Sequence, residues 1–321
     1  AFIPDNRKGS RNELIANENR LIWFPASRSI QEIVVSENTD SWFAAFGTPL
    51  FKNSNLTKPH SVMDSFIKNP RYFLNTDVDG NFALICYNAV KKELYLCSDI
   101  NNSVPVFFSR KGDNIFLSSH ELSLAKILHA KPYKNGVAQS IYLGSTWNRA
   151  TRFEEIEKTR PAEIIVFHED RSTVSENYWS PEDEQRWTDN LDDTIEKWGG
   201  LLENTIVSYR QADTKGSMIA DITAGEDARL IVAQCWAQGI PFKAHVTGRD
   251  NETDVRIARE AAEHCGFDLM VRSRHEVTPE MLSEKLNEIV LVRDGYQELF
   301  KACTEYATQS LSPIDDFNNI K

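Results

Sequence analysis

Residues 223–229, Thr-Ala-Gly-Glu-Asp-Ala-Arg, gather a hydroxyl, a glycine, two carboxylates and a guanidinium within one short stretch. They follow a short apolar run, "MIADI" (218–222), interrupted by Asp221. They precede "LIVAQCW" (230–236), which is apolar on most sides and is ended by Gly239. This is the pattern of a strand, a tight turn and a well-buried helix, and ligands of open α/β sheets bind at such strand ends. Free N–H groups at a helix start suit a phosphate, and the helix dipole adds to the attraction. Asp227 gains nothing by facing a phosphate directly, but Mg2+ would bridge its oxygens to phosphate oxygens. Glu226 and Asp227 are equally explained as acidic residues that favour a helix N-terminus. Arg229 either neutralises phosphate charge or forms an ion pair with Glu226 or Asp221.

The following residues repeat the unit. "IPFKAHVT" (240–247) reads as a second strand ending at Thr247-Gly248, and a polar loop follows. A helix comes next, with Val255, Ile257, Ala258, Ala261 and Ala262 as its small apolar residues, and Cys265-Gly266 closes it. "DLMVRS" (268–273) resumes as a third strand. Two successive strand–loop–helix units set two strand ends side by side, where adenine and phosphates have room. His245 and His264 read as packing or surface residues.

The elements ahead of this region have a different character. "NFALICYNAVKKELYLCSD" (81–99) is two apolar runs around a polar turn, the signal of a hairpin. "PVFFSRKGDNIFLSS" (105–119) is another, bending at residues 111–114. "HELSLAKILHA" (120–130) has a helical stripe, and "AEIIVFHEDRSTVSENYWSP" (162–181) reads strand, turn, strand. The polar passage "SPEDEQRWTDN" (180–190) marks the boundary between a mainly β domain, 1–182, and a second domain, 183–321. The second opens with a long helix, "LDDTIEKWGGLLENTIVSYRQA" (191–212), and then alternates strand and helix, favouring a parallel sheet.

The 321 residues carry a formal charge of -11, which argues against a general affinity for nucleic acid or an anionic membrane. The five cysteines form no CxxC pair, and the seven histidines show no zinc-ligand spacing. The opening "AFIPDNRKGSRNE" lacks the apolar core of a signal peptide, and no run approaches the roughly 20 apolar residues of a membrane helix. A cytoplasmic protein is the expectation.

Taken in order, these motifs resemble the asparagine synthetase-like amide ligases: asparagine synthetases, β-lactam synthetases and the cyclases of lasso peptides. Residues 223–228 fall in register with that family's pyrophosphate loop, S-G-G-x-D-S. Upstream, Asp79-Gly80-Asn81-Phe82-Ala83 resembles the "DGxFA" of its glutaminase-like domain. "LYLCSDINNSVPVFFS" (94–109), "FLSSHELSLAKIL" (116–128) and "NYWSP" (177–181) are similar to the segments that follow it. The likeness spans roughly residues 70–300. It implies an α+β N-terminal Ntn-hydrolase-like sandwich followed by an α/β parallel-sheet ATP-pyrophosphatase domain.

What the resemblance implies for chemistry is ATP-dependent, AMP-forming amide synthesis through an acyl-adenylate. ATP and Mg2+ would be required, and a small-molecule or peptide carboxylate would be the substrate. Thr223, Ala224, Gly225, Ala228 and Arg229 would surround the pyrophosphate, and Asp227 would hold the metal. Val246, Thr247 and Gly248 would border adenine or ribose, while Asp294 and Tyr296 would line the acceptor pocket.

Three departures qualify that picture. The family's glutaminases begin with a nucleophilic Cys, whereas this sequence begins Ala1-Phe2, so no glutaminase activity is expected and the substrate must bring its own amine. In the loop, Ala224 replaces a Gly, which is strained if φ is positive there, and Ala228 replaces a Ser. The sequence ends at Lys321, ahead of the family's second acidic, Gly-rich loop and its late Lys. The catalytic residues are therefore expected beyond Lys321, in a longer protein or a second polypeptide that completes the site. The alternative is a non-catalytic homologue that serves as a scaffold.

Overall fold

The computed structural model describes residues 12–16, 19–23, 33–35, 40–52, 59–183, 190–212, 218–273, 278–292, 294 and 303–304. The chain divides into two compact units, Ala1–Arg186 and Trp187–Lys321. The fold is mixed α/β, antiparallel in the first unit and parallel in the second. No helix among the described residues is long and apolar enough to cross a membrane.

The first unit opens with a hairpin of β1 (Asn12–Ala16) and β2 (Asn19–Trp23). Next come β3 (Ile33–Val35), β4 (Trp42–Phe51), α1 (Pro59–Lys68), α2 (Pro70–Thr76), β5 (Val78–Asn88) and β6 (Glu93–Ser98). They are followed by β7 (Phe107–Lys111), β8 (Asn114–Ser118), α3 (Glu121–Leu128) and α4 (Lys134–Leu143). The unit closes with β9 (Glu157–Lys158), β10 (Glu163–His168) and β11 (Thr173–Asn177). Six strands form one antiparallel sheet in the order β11-β10-β6-β5-β4-β3, and three form another in the order β8-β7-β9.

The inner strands β4, β5, β6 and β10 are buried on both faces, which is why they read as apolar runs, whereas the edge strand β11 is exposed. Phe43, Phe82, Leu84, Cys86 and Ile164 point to one side, where Val62, Phe66 and Phe73 of α1 and α2 meet them. Trp42, Ala44, Ala83, Ile85, Leu96, Ile165 and Phe167 point to the other, against Phe108, Ile115 and Leu117 of β7 and β8. The period-2 alternation of a strand thus feeds two separate cores. Gly47 of β4 and Gly80 of β5 have φ of +88° and +89° and pair in register with Phe82 and Pro49; a Cβ on Gly80 would overlap the Thr48 carbonyl oxygen.

Four carboxylates are buried among the described residues of this unit, and each accepts hydrogen bonds; Asp77 accepts the Ser65 hydroxyl at 3.2 Å. Glu163 accepts from Arg149 at 2.6 Å and from the Arg160 side chain at 2.8 Å. Glu121 accepts the Arg152 Nε–H at 2.8 Å. Asp99 accepts the backbone N–H groups of Phe82, Asn101 and Ser103, fixing the turn after β6.

The second unit carries α5 (Leu191–Ala212), β12 (Met218–Asp221), α6 (Glu226–Ala237), β13 (Phe242–Thr247), α7 (Thr253–Cys265), β14 (Leu269–Arg272) and α8 (Pro279–Val292). The parallel sheet runs β12-β13-β14. One face, made of Ala220, Ile222, Ala244 and Val246, packs against Val232 of α6 and Val255 and Ala258 of α7. Both crossover helices lie on that same face, as successive crossovers in one direction require. Alternation sends Asp221, Lys243, His245, Thr247 and Arg272 to the opposite face.

Candidate functional site

The loop that joins β12 to α6 lies at the C-terminal end of a parallel strand. Ile222 anchors its start in the core, and its N–H donates to the His245 carbonyl oxygen at 2.8 Å. Gly225 is the N-cap of α6, with φ -66° and ψ 146° and no side-chain cap. The first N–H groups of a helix have no partner inside it. Here nothing among the described residues caps those of Glu226, Asp227 and Ala228 from a side chain.

Two N–H groups of the loop are already taken. Gly225 donates to Thr223 Oγ1 at 3.1 Å, and Ala224 donates to Asp254 Oδ1 at 2.9 Å. The Thr223 oxygen serves as an acceptor, which leaves its hydroxyl proton available to a ligand. Ala224 does not have positive φ, so the strain considered for an alanine at this position does not arise. Asp227 is exposed in the first turn of α6. Arg229 is also exposed; its Nε–H lies 3.4 Å from the Gly225 carbonyl oxygen and makes no ion pair with Glu226 or Asp221.

Asp221 is instead paired with His245, Oδ1 to Nδ1 at 2.7 Å. The expectation of a merely packing or surface role for His245 misses this contact. Asp254 is the other residue that the local sequence pattern does not single out. Its place in the first turn of α7 brings it under the loop only because β12 and β13 are adjacent.

The end of β13 distributes its residues by alternation. The Val246 side chain is buried in the core with α6 and α7, so only its backbone borders the strand end. Thr247 is half-buried on the opposite face. Gly248 donates its N–H to the Arg272 carbonyl oxygen at 2.9 Å, and a Cβ there would press on Val255 at 2.8 Å. Burial lowers the pKa of the Arg272 guanidinium, and residue 272 on β14 is the register partner of Thr247 on β13. Asp294 is half-buried with φ of 56°, and Tyr296 lies outside the described residues. Helix α6 is less enclosed than its composition suggests: Val232 and Cys235 are buried, but Trp236 is exposed and donates its ring N–H to Cys265.

The donor set agrees with a phosphate held with one Mg2+. Uncapped helix N–H groups and a threonine hydroxyl can donate to an anion, and Mg2+ takes one or two carboxylates alongside phosphate oxygens and water. Glu226 and Asp227 are both exposed acidic residues in the first turn of α6, and Asp227 is the carboxylate that could serve in this way. No cluster of three or more acidic, His or Cys side chains able to hold a metal by themselves occurs among the described residues.

No family model matches the sequence, and no curated protein does. Solved structures do give matches, 23 chains in all. Among them is the glutamine phosphoribosylpyrophosphate amidotransferase of B. subtilis, complexed with ADP and GMP. It is 13% identical, with a TM-score of 0.28, over 75% of this chain and 48% of its own length. The chain therefore spans about half of that protein.

Proposed function

We propose that this chain is the nucleotide-binding part of an ATP-dependent, AMP-forming C–N ligase. It would combine an Ntn-hydrolase-like first domain with an ATP-pyrophosphatase-type second domain. The observation that supports this reading is the loop 223–228 at the end of β12, with an uncapped helix N-terminus and an exposed Asp227. Asp227 would hold Mg2+, which supplies charge neutralisation to the phosphates. Thr223 and the N–H groups of 226–228 would orient the pyrophosphate, so that a carboxylate substrate attacks the α-phosphate and releases pyrophosphate, and an amine that the substrate supplies attacks the acyl-adenylate and releases AMP.

The test is ATP–pyrophosphate exchange with a panel of amino-acid, peptide and other carboxylates. Exchange that depends on one carboxylate and is lost in Asp227→Ala supports the ligase. The second reading, a scaffold homologue, is favoured by Asp254 occupying the Ala224 N–H. It predicts no exchange and no nucleotide binding by a folded protein.

A further inference from the structure

A cleft of about 440 Å3 lies in the first unit, within the size range of small-molecule sites. Residues of β7, β9, β10 and β11 line it. Two aromatic rings, Phe108 of β7 and Phe167 of β10, meet edge to face at 5.7 Å. A guanidinium lies over each ring, Arg149 over Phe108 at 5.6 Å and Arg110 over Phe167 at 5.8 Å. Both rings and both cations line the same cleft.

The two cations are neutralised to different extents. Arg149 donates from Nη2 to the buried Glu163 at 2.6 Å, and Glu157 lies 3.7 Å from its Nε. Its Nη1 has no acceptor among the described residues and is not enclosed. Arg110 makes no ion pair among the described residues; its Nη groups donate to the carbonyl oxygens of His168, Arg171 and Ser172 and to the Thr173 hydroxyl, all neutral. Its Nε is buried without an acceptor. The acidic groups nearby are engaged or turned outward. Glu155 pairs with Lys111 at 3.2 Å, and Asp170 accepts from Ser172. The Glu155 and Glu157 side chains are 69% and 55% exposed, so they stand at the rim, while Arg149, at 23%, lies deeper. A partly buried cation without a counter-ion is unfavourable, and an anion in the cleft would relieve it.

We propose that this cleft binds a small monocarboxylate with an apolar body. The carboxylate accepts from Arg149 Nη1 and neutralises the Arg110 charge, and the body packs on the Phe108 and Phe167 rings. A guanidinium and a carboxylate form a strong, charge-assisted pair, and the rings beside it favour hydrocarbon over a bare inorganic ion. The two rim glutamates disfavour a second negative charge on the ligand. The site lies within the first unit and does not involve the loop 223–228, so the nucleotide reading and this one can fail separately.

Calorimetry on the full chain with phenylacetate, and with phenylacetamide as its uncharged analogue, tests this. Phenylacetate should bind with a Kd of about 1 mM, the scale for a ligand of about ten non-hydrogen atoms. Phenylacetamide should bind about tenfold more weakly, since it cannot neutralise Arg110. Thr173→Phe keeps both arginines and fills the cleft from β11, and it should abolish binding. Glu157→Gln removes one rim charge and should tighten phenylacetate binding by about three- to tenfold. That exposed, conservative change carries the test even where Thr173→Phe fails to fold. Equal binding of acid and amide, or binding that survives in folded Thr173→Phe, overturns the proposal. So does affinity unchanged or weakened by Glu157→Gln, or no phenylacetate binding up to about 10 mM.

Discussion

Asp254 Oδ1 accepts the Ala224 N–H at 2.9 Å, tying the first turn of α7 to the loop after β12. The contact orders the loop, yet it places a negative charge where a polyphosphate would lie. Asp254→Asn keeps an acceptor oxygen and removes the charge. It should tighten binding of Mg2+–nucleotide by about three- to tenfold, the scale of one unit charge near a surface. Calorimetry on the two proteins checks this, and weaker binding by the variant would mean that the carboxylate assists the ligand.

Glu163 is enclosed in the first unit between Arg149 and Arg160. Removing it leaves two guanidinium groups facing a vacated buried site. Glu163→Ala should lower the stability of that unit by about 3 kcal/mol, the low end for breaking a buried ion pair because both arginines are partly exposed. Urea unfolding reads the change, and a shift below about 1 kcal/mol would contradict the burial described.

Alkaline pH should weaken the same unit. Burial pushes the Cys86, Cys97, Tyr95 and Tyr178 groups up from their ordinary values. Each therefore stays neutral in the folded protein after it ionises in the unfolded chain. The stability these groups contribute is complete below the unfolded pKa values and falls as pH rises above them, from about pH 8.5 upward. Thermal unfolding followed from pH 7.5 to 10 should show a declining midpoint. Maleimide should label half-buried Cys265 before buried Cys86 and Cys97.

Two glycines with positive φ should respond differently to alanine. Gly80→Ala drives a methyl group into the Thr48 backbone, whereas Gly112→Ala meets nothing within 4 Å and bears only the strain of φ +61°. Denaturation should show a loss of about 1 kcal/mol for Gly112→Ala and at least twice that for Gly80→Ala. Equal losses would mean that β4 and β5 are further apart than described.

Much of the fold was legible because its elements announce themselves locally. The runs 81–99 and 105–119 alternate around turn residues, and β5–β6 and β7–β8 form there. Gly266 adopts φ of 72° at the end of α7, as a helix-ending glycine does. The loop 223–228 was equally visible, since an apolar strand, a glycine and an acidic helix start are contiguous.

What the local pattern could not supply are contacts across the sheet. Asp221 and His245 are 24 residues apart, and Ala224 and Asp254 are 30 apart. Both pairs depend on the parallel register of β12 with β13. The same register turns Val246 into the core while leaving Thr247 on the polar face, a division that a list of strand-end residues does not contain. Trp236 likewise reads as core by composition, but its helix turns it outward.

The central claim is a metal-assisted nucleotide site at the start of α6. Calorimetry with α,β-methylene-ATP, with and without Mg2+, addresses it without any assumption about the carboxylate. Micromolar binding that needs Mg2+ is expected, weakened at least 100-fold in Asp227→Ala, while the variant's thermal unfolding stays within about 2 °C of wild type. Affinity that is indifferent to Mg2+ and unchanged in Asp227→Ala would contradict it.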